Sequence, residues 1–424
     1  MKHQHQSYHF AVYNHKLVVG KNRLITRNFI VIKNKNGDII AFTRLHNYIH
    51  SKRKYASKSI SDNGNNRSFF VAQFLNYVFF SDSNYEITLI SEITIEIVQK
   101  FFYYFGSENP NGIGRSKITV DKCAIAVIDF LLEYIIKNPC KLKKQQLVTE
   151  KFYYNKRGKK IKYYLPQINI VHSATPKVIL RDMPNSVFNL FLSYAASYHK
   201  EILMLIALSA FAGLRPSEAC NVRQENSPLG PGMFFSRVNN KITEIKIDLK
   251  KEYVLRSDLK VTGFIKKERE QKVYPNFINI FVQCYRIYCD YILTQKFELD
   301  YMPLSVNRNG KAMTYPNYLY HFRKMVKELI PIMLNHPDLE IQEYAQLLTE
   351  NNISPHIFRH WFSVRLTLYG ENVASLMYWR GDKNPESAIT YLQNKSEIAK
   401  KFKAVTDEAF ALMKEYSDKE ADSK

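Results

Sequence analysis

Three stretches of the chain carry apolar residues at every third or fourth position, a period that restricts each of them to an amphipathic helix. They run from Phe69 to Phe80, from Thr94 to Phe105 and from Thr119 to Ile136. Three such helices can bury their apolar faces against one another. The pattern therefore predicts a small helical domain over residues 61–140.

The residues before this helical region have a different period. Two runs rich in aromatic and β-branched residues, Phe10 to Val19 and Asn28 to Phe42, are typical of strands. The pair Asn36-Gly37 divides the second run, and Asn-Gly is a strong signal for a two-residue hairpin turn. Residues 1–60 are thus predicted to form a small basic module that contains β-strands.

The region after the helical domain is larger, and we assign it to residues 178–424. It begins with a helical pattern through Ala212, continues with strand-like segments from Lys241 to Leu249 and from Gly263 to Tyr274, and then returns to helical patterns, including an amphipathic segment from Ile398 to Tyr416. The expected fold class is mainly α with a small β-sheet (α+β).

The net charge indicates what such a chain binds. Lysine and arginine total 61 against 39 aspartates and glutamates, which leaves a formal charge of +22. A surplus of this size favours a polyanionic partner, and nucleic acid is the first expectation. The alternative is a basic surface with no specific partner.

The positive charge is densest in residues 141–177, which we interpret as a basic linker between the helical domain and the larger region. Lysines and an arginine alternate there with tyrosines, which suits contact with DNA phosphates and sugars as well as it suits a solvated connector. The candidate DNA-binding residues are Lys151, Lys156, Arg157, Lys159 and Lys160.

Other features exclude whole classes of protein. No window approaches the ~20 apolar residues that a membrane span needs, and the first residues are unlike a signal peptide, so we expect a cytoplasmic protein without a membrane partner. The five cysteines include no CxxC pair, which argues against a disulfide framework and a zinc site. We expect neither a metal nor another cofactor.

Two short motifs can each hold an anion. In Ala212 to Glu218, a glycine suited to a helix end is followed by Arg215 and then by a proline suited to the next helix start. In Ser354 to His360, Ser354 is predicted as the N-cap of a helix whose first turn carries His356 and Arg359 on one face. Taken alone, Arg215 is better explained by an internal pair with Glu218, and His360 by a partly buried hydrogen bond.

Two further motifs are weak when taken singly. A lysine-rich β-hairpin is predicted from Gly263 to Pro275, with Lys266, Lys267, Arg269 and Lys272 on a mobile loop. Pro385 is predicted to start a helix that carries Tyr391 about two turns later. By itself this tyrosine is a packing residue.

In their order and spacing these motifs resemble the tyrosine recombinases, the phage integrase family. The family has an arginine in a Gly-Leu-Arg-x-Ser-Glu stretch, a lysine on a β-hairpin, a His-x-x-Arg-His box and a tyrosine some three dozen residues later. Here Tyr391 lies 35 residues beyond His356. The helical domain is only generally similar to the family's core-binding domain, and residues 1–60 could by analogy be an arm-type DNA-binding module.

The resemblance implies a role for each matching residue. Tyr391 would be the nucleophile that forms a 3′-phosphotyrosine bond with DNA, and Arg215 and Arg359 would bind the scissile phosphate. His356 would bind the phosphate and assist proton movement, and Lys267 would be the general acid on the 5′ oxygen, with Lys266 as a possible substitute. Glu218 would orient Arg215, and His360 would support the site.

The same resemblance implies double-stranded DNA as partner, a homotetramer on DNA, no cofactor, and integration or excision of a mobile element. One position departs from the family: Asp382 stands nine residues before the tyrosine, where a histidine or tryptophan is usual. An acid there would be turned away, be compensated by Trp379, or lower activity. Alternatives are therefore a DNA-binding protein that no longer cuts, a type IB topoisomerase and, less favoured, a metal-dependent nuclease.

Overall fold

The structure is a computed structural model, and it divides the chain into two compact units whose main boundary lies between Lys177 and Val178. It describes residues 8–19, 23–49, 63–81, 87–107, 115–155, 158–172 and 183–382. Among these residues, no helix is both long and apolar enough to cross a membrane. The mainly helical architecture with small antiparallel sheets confirms the predicted fold class.

The first unit begins with a three-stranded sheet. Its strands, in spatial order, are β1 (Tyr8–Val19), β2 (Arg23–Asn34) and β3 (Ile39–Phe42). The connection between β2 and β3 contains the predicted Asn36-Gly37 pair, but it spans residues 35–38 and is longer than the predicted two-residue turn. Gly37 has a positive φ of 88°, whereas Asn36 does not, and a two-residue type I′ turn needs it at both positions. The Asn76 side chain pairs with both backbone groups of Phe10, at 2.6 and 2.9 Å, and so joins β1 to the first helix.

Three helices form the core of this unit, as the apolar period predicted. They are α1 (Asn63–Phe80), α2 (Ile95–Ser107) and α3 (Lys117–Lys137). Their buried faces are rich in aromatic residues: Phe74, Phe101 and Phe102 are almost fully enclosed, and the Phe74 and Phe101 rings meet edge to face. Each apolar side chain removed from water in this way stabilises the fold by about 1.5–3 kcal/mol.

The basic segment that follows is an ordered hairpin for most of its described length. A short helix, α4 (Lys144–Leu147), leads into the antiparallel strands β4 (Val148–Tyr154) and β5 (Lys160–Pro166). Interpreting residues 141–177 only as a linker missed this pairing, because alternating lysine and tyrosine shows no buried face. Both strands are largely exposed, so neither has an apolar side to reveal it.

The second unit is built around one fully buried helix. Helices α5 (Asn185–Tyr198) and α6 (Lys200–Phe211) are followed by a single turn, α7 (Pro216–Ala219). Every residue of α6 from Ile202 to Phe211 is buried, which explains why its sequence is apolar on all sides. This helix carries the chain directly into the Arg215 motif.

Within residues 220–382, the described remainder of this unit, a small sheet and five more helices follow. The antiparallel strands β6 (Met233–Val238), β7 (Lys241–Leu249) and β8 (Arg269–Lys272) lie in this order. The helices are α8 (Ile278–Gln295), α9 (Tyr315–Leu334), α10 (Leu339–Glu350), α11 (His356–Leu368) and α12 (Val373–Arg380). The hairpin predicted within Gly263 to Pro275 was wrong in one respect: β8 pairs with β7 across the long connection 250–268, not with residues just before it.

Candidate active site

Arg215 lies in the short connection between α6 and α7. Gly213 adopts the left-handed φ of 64° predicted for a helix end, and an added Cβ there would collide with the Phe362 ring at 2.5 Å. The backbone N–H of Arg215 and its Nη1 both donate to the Glu218 carboxylate at 3.1 Å. The internal pair with Glu218 is therefore present, and it leaves Nη2 of Arg215 pointing to a second anion.

Arg359 approaches the same place from the first turn of α11. Its Nη1 donates to the carbonyl oxygens of Gly213 and, at 2.9 Å, of Arg380. The Arg359 side chain is only 5% exposed. Its burial and the two carbonyl acceptors hold the guanidinium in one orientation. Helix α11 begins at His356, one residue later than predicted, and the Ser354 side chain does not cap it; the Ser354 carbonyl instead accepts from Ile357.

Asp382 is the anion on which both arginines converge. Its Oδ1 accepts from Nη2 of Arg215 at 2.5 Å and from Nη2 of Arg359 at 2.8 Å. Its other oxygen lies 2.9 Å from Nε of Arg380. Asp382 is therefore not turned away from the site, which was one of the outcomes expected for it. The Trp379 ring packs edge-on against Tyr274.

Glu218 organises the base of the site. Its side chain is 1% exposed and accepts from Arg269 at 3.2 and 2.9 Å as well as from Arg215. Burial opposes the ionisation of this carboxyl, but the hydrogen bonds and charge of Arg269, with the charges of Arg215 and Arg359, lower its pKa to about 2. Glu218 is therefore a fixed negative charge at neutral pH.

Arg269 corrects one prediction. It was expected on a mobile loop, yet it lies on β8 with its side chain only 8% exposed, and it also bonds Gln271 and the Lys267 carbonyl. The sequence hid this role because a lysine- and glutamate-rich stretch has the composition of a solvated tip. Arg269 reaches Glu218 because β8 pairs with β7, a contact between segments that are distant in the sequence.

His356 stands at the edge of the arginine cluster. Partial desolvation and the neighbouring charges of Arg359 and Arg215 lower its pKa to about 4. Because the residue as a whole is exposed, we attribute the lower pKa chiefly to the two guanidinium charges. His356 is therefore neutral at pH 7 and can accept a proton, while His360 is half-buried on the same helix.

The two candidate lysines differ in what surrounds them. The Lys266 backbone N–H donates to Glu218 at 3.3 Å, its side chain is exposed, and its charge contributes to the lowered pKa of His356. The Lys267 side chain is half-buried, and its carbonyl accepts from Arg269 at 2.9 Å. Among the described residues, the charge of Lys266 therefore acts on His356 more directly than the charge of Lys267 does.

Some predicted residues lie outside the described part of the chain. Tyr391, the proposed nucleophile, is one, as are the helix predicted from Pro385 and the segment Ile398 to Tyr416. Of the candidate DNA-binding residues, Lys156 and Arg157 are also outside it. The other three, Lys151, Lys159 and Lys160, are exposed on the β4–β5 hairpin.

A second cluster of ionisable residues lies at the other end of α6. Among the described residues, His199, Glu201 and His321 bring their ligand atoms within 4.8 Å of one another, a set that could hold a metal ion. In the structure Glu201 accepts from both rings, at 3.3 and 2.9 Å, and the second nitrogen of His199 lies 2.6 Å from Glu328. Both ring nitrogens of His199 and Nδ1 of His321 thus contact carboxylates.

Comparison with known proteins gives structural matches at low identity. No protein-family model matches the chain, and no curated protein matches it. The Tn1549 transposon integrase in complex with transposon right end DNA is 16% identical, with a TM-score of 0.47 over 82% of this chain and 93% of that one. The XerH site-specific recombinase bound to difH substrate is 18% identical, with a TM-score of 0.44 over 77% and 76%.

A lambda integrase dimer bound to a core site is 10% identical, with a TM-score of 0.43 over 80% of this chain and 90% of that one. These solved structures, to which the chain is similar, are site-specific recombinases and integrases, the class of protein that the motifs resemble.

Proposed function

We propose that this protein cuts and rejoins double-stranded DNA through a covalent tyrosine intermediate. The observation that carries the proposal is the convergence of Arg215 and Arg359 on one oxyanion position, occupied in the structure by Oδ1 of Asp382. Guanidinium groups are well suited to phosphate, and fixed donors aimed at one oxygen stabilise charge that develops there. The motif resemblance and the net charge of +22 point to the same substrate.

The proposed reaction needs no metal and no ATP. The Tyr391 oxygen attacks phosphorus, a tyrosyl–phosphorus bond forms at the 3′ side, and the bond to the 5′ oxygen breaks. The neutral His356 can accept the proton that the tyrosine loses, and a lysine, Lys267 or Lys266, gives a proton to the departing 5′ oxygen. Because one phosphoester replaces another, the 5′ hydroxyl can reverse the step and reseal the strand.

The nucleophile is tested with nicked duplexes made from the DNA that flanks the gene, in which a cut releases a short fragment and traps the adduct. Wild-type protein should form a covalent protein–DNA band that resists boiling in detergent. Tyr391→Phe should form none, because it lacks the attacking oxygen. Tyr320→Phe, which changes an exposed tyrosine on α9, is the matched control and should behave as wild type.

An adduct formed by Tyr391→Phe would reject the assignment of the nucleophile. Absence of an adduct in every protein, together with tight DNA binding, would favour the second candidate, a DNA-binding protein that no longer cuts. The ion pairs of Asp382 with both arginines are the observation that favours that candidate. A type IB topoisomerase would instead relax any supercoiled plasmid without site preference.

The general acid is identified by comparing Lys266→Ala with Lys267→Ala. Loss of the acid should slow cleavage about 10²- to 10⁴-fold. A substrate with sulfur in place of the 5′ oxygen leaves without a proton, so it should restore the rate for that variant and not for the other. If neither variant is rescued, neither lysine is the acid.

Assembly and biological role belong to the same proposal. By analogy with the resembled family, four chains would act on two duplexes, in integration or excision of a mobile element. Analytical ultracentrifugation on the flanking DNA tests the first point. A complex that never exceeds one chain per DNA site would contradict it.

A further inference from the structure

We propose that Asp382 is an internal phosphate mimic: in the absence of DNA its carboxylate holds the position of a phosphate oxygen, and an incoming phosphodiester binds only by displacing it. The inference rests on the proposed function, since it assigns the two arginines to a DNA phosphate. It adds a regulatory step to that site.

The first support is the geometry of the contact. One oxygen, Oδ1, accepts from the terminal Nη2 of both Arg215 and Arg359, at 2.5 and 2.8 Å. The remaining hydrogen bonds of these guanidinium groups go to Glu218 and to backbone carbonyls. Asp382 therefore occupies the one position on which both groups converge, and a carboxylate and a phosphate offer similar oxygens there.

The second support is the backbone geometry that places Asp382 beside the two arginines. Helix α12 ends at Arg380 and is capped by Gly381, whose φ is 62°, and the N–H groups of Gly381 and Asp382 donate back to the carbonyls of Tyr378 and Met377. This helix end turns the chain toward the cluster. A Cβ on Gly381 would lie 2.2 Å from Nε of Arg269, so the close approach depends on glycine.

The third support is electrostatic. Arg215, Arg359 and Arg380 all contact Asp382, and side-chain exposure is 16% or less for each of the four. Three cations so close together repel one another in a site that water screens poorly. Burial and the charges of Arg215 and Arg380 lower the pKa of Arg359, whereas Asp382 opposes this change. An anion is needed there whether or not DNA is bound.

The proposal predicts competition between the carboxylate and an added oxyanion. Binding of inorganic phosphate to the full-length protein is measured by NMR of labelled histidine, with the His356 ring as reporter, assigned by loss of its signal in His356→Gln. Asp382→Asn keeps the shape and removes the charge. Its affinity for phosphate should rise about tenfold or more over wild type, because a charge-assisted competitor is gone.

Three variants accompany this measurement. Asp382→Ser removes the carboxylate without adding an amide, and should show the same gain. Arg215→Gln combined with Asp382→Asn should lose it, because one of the two receiving groups is absent. Asp129→Asn breaks an aspartate–arginine pair of the other unit, Arg67–Asp129 at 2.6 Å, and should bind phosphate as wild type does.

Equal phosphate affinity for wild type, Asp382→Asn and Asp382→Ser would overturn the proposal. That failure is distinct from failure of the proposed function, because phosphate binding does not involve Tyr391. A Tyr391-dependent adduct without a gain in phosphate affinity would leave the cutting reaction intact and remove the role of Asp382. A gain without any adduct would retain the displacement step and remove the cutting.

Discussion

At the scale of single residues, Glu218 connects three parts of the second unit. It accepts from Arg215 in its own motif, from Arg269 on β8, and from the backbone N–H of Lys266 in the 250–268 connection. A carboxylate buried this deeply is tolerable only because its oxygens are satisfied by charged donors. The orientation of Arg215 therefore depends on a strand far from it in the sequence.

Glu218→Gln should destabilise the protein strongly. The amide keeps the shape but leaves two buried guanidinium groups without their counter-charge, and breaking such a pair costs about 3–5 kcal/mol. The free energy of unfolding is measured by urea denaturation at pH 7, with the exposed Glu268→Gln as control. A loss below about 1 kcal/mol would mean that Glu218 contributes no more than a surface ion pair.

The pH dependence of the same pair follows from its lowered pKa. The pKa of Glu218 is about 2 in the folded chain and about 4.3 in an unfolded one. The stabilisation is therefore complete above the unfolded value and is lost as the pH falls from about 4 toward about 2. The stability gap between wild type and Glu218→Gln should close over this range and stay constant between about pH 6 and 8.

At the scale of elements, the β4–β5 hairpin presents aromatic and basic side chains together. Tyr153, Tyr154 and Tyr163 are between 37% and 70% exposed, and Lys160 lies over the Phe152 ring with its Nζ 4.3 Å from the centroid. Exposed aromatic rings interleaved with lysines are suited to sugars, bases and phosphates of a nucleic acid. The two strands hold these side chains in register.

Removing hairpin lysines should weaken DNA binding in a salt-dependent way. For Lys151→Ala and Lys160→Ala, each lost phosphate contact should reduce the slope of log affinity against log salt by about 1 on a duplex of arbitrary sequence. Fluorescence anisotropy between low and moderate salt measures the slope. Lys327→Ala, exposed on α9, is the matched control, and an unchanged slope for the hairpin variants would identify a solvated connector.

Elements with an apolar face were the predictable part of the fold. The helices α1, α2 and α3 follow from a period of 3.6, and the presence of a turn between β2 and β3, though not its length, follows from Asn36-Gly37. The hairpin β4–β5 was missed, since neither of its strands has a buried side, and the strand β8 was predicted within Gly263 to Tyr274 but with the wrong partner. Local periodicity reports burial, and these elements are held by pairing instead.

The candidate site likewise contains residues that the sequence predicted and residues that it did not. Gly213, Arg215 and Arg359 were predicted because helix ends and motif spacing are local in the sequence. The role of Arg269 and the direction of Asp382 depend on which distant segments meet, and a carboxylate beside two arginines has no signature in its own neighbourhood. Their contacts appear only once β8 and the end of α12 lie against the Arg215 motif.

At the scale of the whole molecule, the charge surplus of +22 is distributed over both units. The first unit carries the exposed lysines of the hairpin, and the second holds three largely buried arginines, Arg215, Arg269 and Arg359, around Glu218 and Asp382. Under the proposed function, long-range attraction brings DNA to the surface, whereas the buried cluster binds one phosphate. Affinity for DNA and selection of a phosphate then belong to different residues.

The position of Asp382 also limits the reach of Tyr391, the proposed nucleophile. Tyr391 follows it by nine residues, and an extended chain spans at most about 3.5 Å per residue, so the tyrosine stays within ~32 Å of that carboxylate's backbone. While the ion pairs of Asp382 with the arginines hold, this nine-residue segment begins inside the pocket. If a phosphate displaces the carboxylate, as proposed, the beginning of the segment can move outward. The region that Tyr391 can reach then depends on whether Asp382 or a phosphate occupies the pocket.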